Sequence, residues 1–345
     1  MLEEQRNSRY SRQVRFVPFG ADGQDALGRS HVLIVGAGAL GSAIAETLVR
    51  AGVGRITITD RDYVEWSNLQ RQQLYTEQDA LKHLPKAEAA RMRLQSINSE
   101  VRIEAHVMDV RAEELAELAQ GCDLFMDATD NFDTRLIIND ISQKMNIPWI
   151  YGGCVGSTGM TYTFIPGETP CLHCLLGSVP LGGDTCDTAG ILPQAVQIVA
   201  SHQTMEAMKL LSGQTNALRK KLLSFDLWRN ESIETKLDSA RKSDCLSCGT
   251  HPVYPFLSAI NNTKGEVLCG RDTIQIRPGR KVKLDLEMMA ERLGDLPEGK
   301  TSLNPFMVIF EMSQHRLVFF ADGRALIHGT SDLMEAKNLY YRYMG

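Results

Sequence analysis

The 345-residue chain contains no run of about 18 consecutive apolar residues, so no transmembrane helix is expected. It carries no excess of positive charge. A formal net charge of −5 gives no electrostatic reason to bind nucleic acid. The opening stretch, MLEEQRNSRYSRQVR, lacks the apolar core of a signal peptide, and a cytoplasmic location is expected. No internal repeat or low-complexity segment stands out, and at 43% hydrophobic the chain can bury one large core or two smaller ones. Eight cysteines in a chain of this size point to metal binding or catalysis rather than to a disulfide framework.

The most informative stretch runs from His31 to Asp62, HVLIVGAGALGSAIAETLVRAGVGRITITDRD. His31–Val35 is a short, β-branched apolar run suited to a strand buried on both faces. Gly36, Gly38 and Gly41 then form a G-x-G-x-x-G turn. The first glycine allows the tight turn, the second lets backbone approach a phosphate, and the third lets helix pack on strand. Helix formers follow to Ala51, Gly52 and Gly54 end the helix, and Arg55–Thr59 alternates like a second strand. Asp60 sits at its end, where a carboxylate takes ribose hydroxyls. The arrangement indicates an adenosine-nucleotide site without saying which nucleotide, and a nicotinamide dehydrogenase is the first candidate.

Downstream, Pro85 suits the N1 position of a helix reaching about Ile97. Strands are expected near Val101–Met108, Asp123–Ala128 and Pro148–Gly152, alternating with helices over Arg111–Ala119 and Asp133–Met145. This alternation gives a doubly wound, Rossmann-like, mainly parallel α/β sheet. From Gly153 the pattern changes to an antiparallel extension. A Gly-, Pro- and Cys-rich crossover loop is expected at Leu175–Thr188, then a long helix at Ile191–Leu211 and a hairpin turning near Asn230. The expected division is a nucleotide-binding domain with a cysteine clip over residues 1–250 and a small C-terminal α+β domain over 251–345.

Cys171-Leu-His-Cys174 and Cys245-Leu-Ser-Cys248 are two C-x-x-C knuckles that together make a four-cysteine zinc site. Such a closed site has no open coordination position, so its metal is structural, and His173 is expected to face away from it. Cys186 stands alone in GGDTCDTAG. Cys122 and Cys154 read as small buried residues, and Cys269 receives no role.

Asn68 and Arg71 in NLQRQ, Lys86 at a helix start, Asp127 and Asp130 in DATDN, and Arg9 and Arg12 near the start can converge on the glycine turn. Singly, such cations are ordinary surface charge. Jointly they suit nucleotidyl transfer, in which Arg and Lys stabilise phosphate charge while an Asp holds magnesium.

Together RYSRQ, the glycine turn followed by DRDYVEWSNLQRQ, PKAEAA, DATDNFDTR and the two knuckles resemble the ThiF/MoeB/HesA family, over roughly residues 5–250. These are bacterial relatives of ubiquitin-activating enzymes. The resemblance implies ATP-dependent adenylation of the C-terminal Gly-Gly carboxylate of a ubiquitin-like sulfur carrier, ThiS or MoaD. The pathway would be thiamine thiazole or molybdopterin synthesis, with a slight preference for the ThiF type. It assigns Gly36, Gly38, Gly41, Asp60, Asn68, Arg71 and Lys86 to ATP, Asp130 to Mg2+, and Cys171, Cys174, Cys245 and Cys248 to structural Zn2+. It also implies that Arg12 reaches the ATP of a neighbouring subunit in a homodimer. Cys186 matches a cysteine used by ThiF-type enzymes in covalent sulfur transfer, which would bring a sulfur donor as a further partner. Two rival readings are an NAD- or FAD-dependent oxidoreductase, which leaves NLQRQ, Lys86, DATDN and the knuckles unexplained, and a non-catalytic scaffold of the same fold. The tail shows no C-x5-R loop and so does not read as a rhodanese domain.

Overall fold

Short apolar runs separated by helix-forming segments become an eight-stranded sheet in a computed structural model that describes residues 2–176, 189–258, 265–267, 272–278 and 282–344. Helices α1 (Leu2–Val14) and α2 (Gly20–Leu27) precede β1 (His31–Val35). There follow α3 (Ala39–Ala51), β2 (Arg55–Asp60), α4 (Glu77–Leu81), α5 (Lys86–Ile97) and β3 (Arg102–Val107). Next come α6 (Ala112–Leu118), β4 (Leu124–Asp127), α7 (Phe132–Met145), β5 (Trp149–Val155) and β6 (Thr158–Phe164). The short α8 (Leu172–Leu175), the long α9 (Pro193–Leu211), β7 (Lys221–Asp226) and β8 (Glu231–Lys236) complete this part.

The sheet order is β3-β2-β1-β4-β5-β6-β7-β8. The first five strands are parallel and the last three join antiparallel. Because successive side chains point to opposite faces, β1 serves two cores. Val32 and Ile34 pack with α3, α5 and α9 residues such as Ile44, Leu94 and Val199. Leu33 and Val35 pack with Leu115, Ile138 and Ile141 of α6 and α7. The strand order reverses between β1 and β4, and in such sheets ligands bind in the crevice beyond the carboxyl ends of the strands at that point.

The contacts divide the chain into Met1–Ser258 and Ala259–Gly345. The turn Pro255–Leu257 stays with the first unit, where the Phe256 N–H donates to the Asp140 carboxylate at 2.9 Å. In the second unit, β9 (Gly265–Val267), β10 (Thr273–Ile276), β11 (Gly299–Asn304), β12 (Met307–Met312), β13 (Arg316–Phe320) and β14 (Ala325–His328) form an antiparallel sheet of order β11-β12-β13-β14-β10-β9. Helices α10 (Leu286–Gly294) and α11 (Leu333–Met344) supply Met289, Leu293, Ala336 and Tyr340 to its core.

Helix α4 and strand β11 were not expected, nor were the short α8 and β9. Helix α4 is announced by a capping box in which the Thr76 and Asp79 side chains bond each other's backbone N–H. Strand β11 is a polar edge without a continuous apolar face, so its sequence lacks the alternation that marks a half-buried strand. Pro85 is the N-cap of α5 rather than its first residue. The crossover expected at Leu175–Thr188 falls mostly outside the described residues, as do Cys186 and Cys269. Among the described residues no helix is long and apolar enough to cross a membrane.

Candidate active site

The glycine turn closes the crevice where β1 ends. Gly36 has φ +99°, and a Cβ there would collide with the Ala128 carbonyl beyond β4. A Cβ on Gly41 would collide with the Gly36 carbonyl, so the third glycine is what lets α3 sit against the turn. Gly38 is the N-cap of α3 and offers no side-chain cap, which leaves first-turn N–H groups and the positive helix end for an anion. The Asp60 carboxylate grips the same turn: Oδ2 accepts the Ala37 N–H at 2.6 Å, and Oδ1 accepts the Asp62 N–H at 2.7 Å. Burial pushes its pKa up, and the charge of Lys86 pulls the other way.

Lys86 is buried, with Nζ 3.2 Å from Asp62 Oδ2. A buried ammonium requires such a partner, and the acid two residues after Asp60 supplies it. Asn68 is also buried. Its carboxamide oxygen accepts the Glu65 N–H at 3.1 Å, fixing the 3-10 turn Trp66–Asn68. Arg71 follows and donates to the Ser67 carbonyl at 2.9 Å. Gln72 packs near Gly38. The Tyr75 hydroxyl lies 2.5 Å from the Ala37 carbonyl and 3.1 Å from that of Lys86, joining the turn to the start of α5. Thus Gly36–Gly41, Asp60, Lys86 and the NLQRQ loop form one group, to which Asp62 and Tyr75, not singled out in the sequence, also belong. The Asp-Arg-Asp sequence at the end of β2 was the available signal for Asp62.

Asp127 and Asp130 have different fates. Asp127 is fully buried and held by three donors: Oδ1 accepts the Thr129 N–H at 3.0 Å and its hydroxyl at 2.7 Å, and Oδ2 accepts Arg135 Nε at 2.9 Å. Arg135 Nη2 donates to the carbonyls of Thr129 (2.7 Å) and Gly152 (3.0 Å). Burial opposes the Arg135 charge, but Asp127 beside it more than compensates and raises its pKa. Asp127 is therefore a buried clamp whose carboxylate is turned to the protein's own donors. Asp130 is exposed and has no hydrogen bond or ion pair among the described residues, so its carboxylate can meet a cation. Arg12 is likewise exposed, and none of its described contacts joins it to this group. Arg9 donates to the Ile97 carbonyl at 3.1 Å.

The four cysteines of the two knuckles have Sγ atoms all within 4.8 Å of one another. Cys171–Cys174, Cys171–Cys245 and Cys174–Cys248 are separated by 3.9, 3.6 and 3.4 Å. A tetrahedral zinc with Zn–S near 2.3 Å requires sulfurs about 3.8 Å apart, so the cluster is compatible with zinc. Burial pushes the Cys174 thiol up to about 11, a cost that a divalent cation would reverse. His173 turns away, with Nδ1 2.9 Å from Ser247 Oγ. Asn139 of α7 accepts the Leu172 N–H at 2.8 Å, and its neighbour Asp140 bonds Ser247, so both knuckles rest on one helix.

Comparison with known proteins places these features in context. A model of the ThiF family matches residues 10–247. The Bacillus subtilis protein named sulfur carrier protein ThiS adenylyltransferase is 52% identical over 337 residues, 98% of this chain and 99% of that protein. The Escherichia coli molybdopterin-synthase adenylyltransferase is 37% identical over 250 residues, 72% of this chain and 98% of that one. Among solved structures, Escherichia coli MccB with ATP aligns with a TM-score of 0.61 at 22% identity, over 70% of this chain and 75% of that one, a likeness of fold.

The clamp generates a stability prediction. Arg135→Met leaves Asp127 buried without its cation, which costs about 3–5 kcal/mol and lowers the melting midpoint of the first unit by about 10 °C. Adding Asp127→Asn should recover part of the loss. Calorimetry of both variants checks this, and an unchanged midpoint for the single variant would rule the clamp out.

Proposed function

The chain belongs to the ThiF family, and from that premise we propose that it is an ATP-dependent adenylyltransferase activating the C-terminal Gly-Gly carboxylate of a ThiS-type sulfur carrier. The observation that carries this reading is the near full-length similarity to the Bacillus subtilis ThiS adenylyltransferase, which extends through the second unit. The molybdopterin-synthase relative is matched over only 72% of this chain. ThiS is therefore preferred over MoaD as partner. A dehydrogenase is disfavoured because the buried cation Lys86 and the exposed Asp130 suit a triphosphate better than a nicotinamide.

In this reading the glycine turn and α3 receive phosphate, Asp60 takes the ribose, and Asn68, Arg71 and Lys86 line the phosphate path. Asp130 would hold Mg2+, which neutralises phosphate charge when bound. A carrier carboxylate oxygen attacks the α-phosphorus, the bond to the bridging oxygen of the β-phosphate breaks, and pyrophosphate leaves with that electron pair. The carrier remains as an acyl-adenylate. Positioning and charge stabilisation account for the step, and no general base is needed because the nucleophile is already ionised. Cys186 is assigned a later covalent sulfur transfer from a separate donor. A cytoplasmic location accords with this chemistry.

ATP–pyrophosphate exchange is expected with a ThiS-type carrier and more weakly with a MoaD-type one. Asp130→Ala should abolish exchange while ATP still binds, and exchange with neither carrier would sink the proposal. Arg12 is assigned to the neighbouring subunit's ATP in a homodimer. Mixing Arg12→Ala with Lys86→Ala protein should then restore about a quarter of wild-type exchange through dimers carrying one intact site. No restoration after subunit exchange would place Arg12 in its own site. The cysteine clip is assigned to structural zinc. Native protein should contain about one zinc per chain and Cys245→Ser little, with a lower melting midpoint. Metal analysis giving less than about half an equivalent in native protein would count against zinc.

A further inference from the structure

Ala37 is held through both of its peptide groups, and the Ala37–Gly38 peptide through its carbonyl. Asp60 takes the N–H of Ala37, and the Tyr75 hydroxyl reaches its carbonyl at 2.5 Å. A trans peptide is planar, so fixing the Ala37 carbonyl fixes the Gly38 N–H in the opposite direction. That N–H has no acceptor among the described residues, and it stands at the start of the 13-residue α3, where the helix end favours an anion. Tyr75 is buried. Burial, with Asp60, Asp79 and Asp62 nearby, pushes its pKa well above the usual phenol value, so the group remains a proton donor. A hydroxyl has a single proton, and the shorter contact receives it. The Lys86 carbonyl, 3.1 Å away, is the longer of the two contacts.

We propose that Tyr75 is a positioning residue of the phosphate cradle, its hydroxyl holding the Ala37–Gly38 peptide so that the Gly38 N–H faces the nucleotide phosphates. This rests on reading the glycine turn as the ATP site. Tyr75 touches no substrate in this assignment. It acts through the peptide, and its effect belongs to phosphate rather than to the nucleoside, which Asp60 serves.

Tyr75→Phe keeps the ring and removes only the hydroxyl, leaving a buried carbonyl without its donor. Binding of ATP and of adenosine to the full chain would be measured by calorimetry for both proteins, with circular dichroism to confirm folding. The variant should bind ATP about tenfold more weakly and adenosine within about twofold of wild type. In exchange assays KM for ATP should rise while KM for the carrier stays within about twofold. Equal weakening of ATP and adenosine, or no weakening of either, would overturn the proposal, because a merely structural residue would not discriminate phosphate. If the variant fails to fold, Tyr75→Met, likewise without a hydroxyl, carries the same comparison. Wild-type protein that binds ATP yet supports no carrier-dependent exchange would refute the adenylyltransferase reading and leave the cradle comparison intact.

Discussion

The buried pair of Asp127 and Arg135 sets the geometry on which the crevice depends. A charge pair removed from water survives only when its remaining donors and acceptors are also satisfied. Here Thr129 supplies two donors to the carboxylate, and the guanidinium spends its other bonds on the Thr129 and Gly152 carbonyls. One ion pair thereby ties the end of β4, the loop beyond it, the first turn of α7 and the middle of β5. Gln203 of α9 reinforces it from the other face by donating to the carbonyls of Asp127 (2.9 Å) and Ile150 (3.2 Å). The glycine turn leans on Ala128 of the same loop. The loop that presents Asp130 is therefore fixed by the protein's own contacts, which is the preorganisation that electrostatic catalysis requires.

Helix α7 extends that constraint. Its N-cap is Asn131, whose side chain accepts the Thr134 N–H at 2.8 Å, immediately after Asp130. Two turns farther on, Asn139 and Asp140 hold the two cysteine knuckles. The helix acts as a strut between the loop of the crevice and a cluster drawn from segments far apart in sequence. A structural cluster of this kind can matter to a reaction it never touches.

Much of this was legible before any coordinates. A glycine turn between a buried strand and a helix is over-determined by sterics, since a side chain at Gly36 or Gly41 would meet backbone. The C-x-x-C pairs were legible because thiolates at that spacing have few other uses in a large chain. Other features depend on tertiary contacts and leave weaker traces. Asp127 and Asp130 look alike in DATDN, yet one is a buried clamp and the other an exposed carboxylate; only the placement of Arg135 separates them. Lys86 read as a phosphate ligand, but its pairing with Asp62 depends on a loop without periodicity. Strand β11 was missed because an edge strand takes its order from backbone pairing to β12 rather than from buried side chains.

The division into two units has an optical consequence. All three tryptophans, Trp66, Trp149 and Trp228, lie in the first unit, so tryptophan emission is silent about the second. Within the first unit they differ in surroundings. Trp149 is fully buried and stacked on Phe164 with ring centroids 4.3 Å apart, whereas Trp66 and Trp228 are 55% and 80% exposed. An ionic quencher reaches the two exposed indoles and spares Trp149, separating a red, quenchable emission from a blue, protected one. Trp66 belongs to the same 3-10 turn as Asn68, so the quenchable fraction contains a native fluorophore beside that loop.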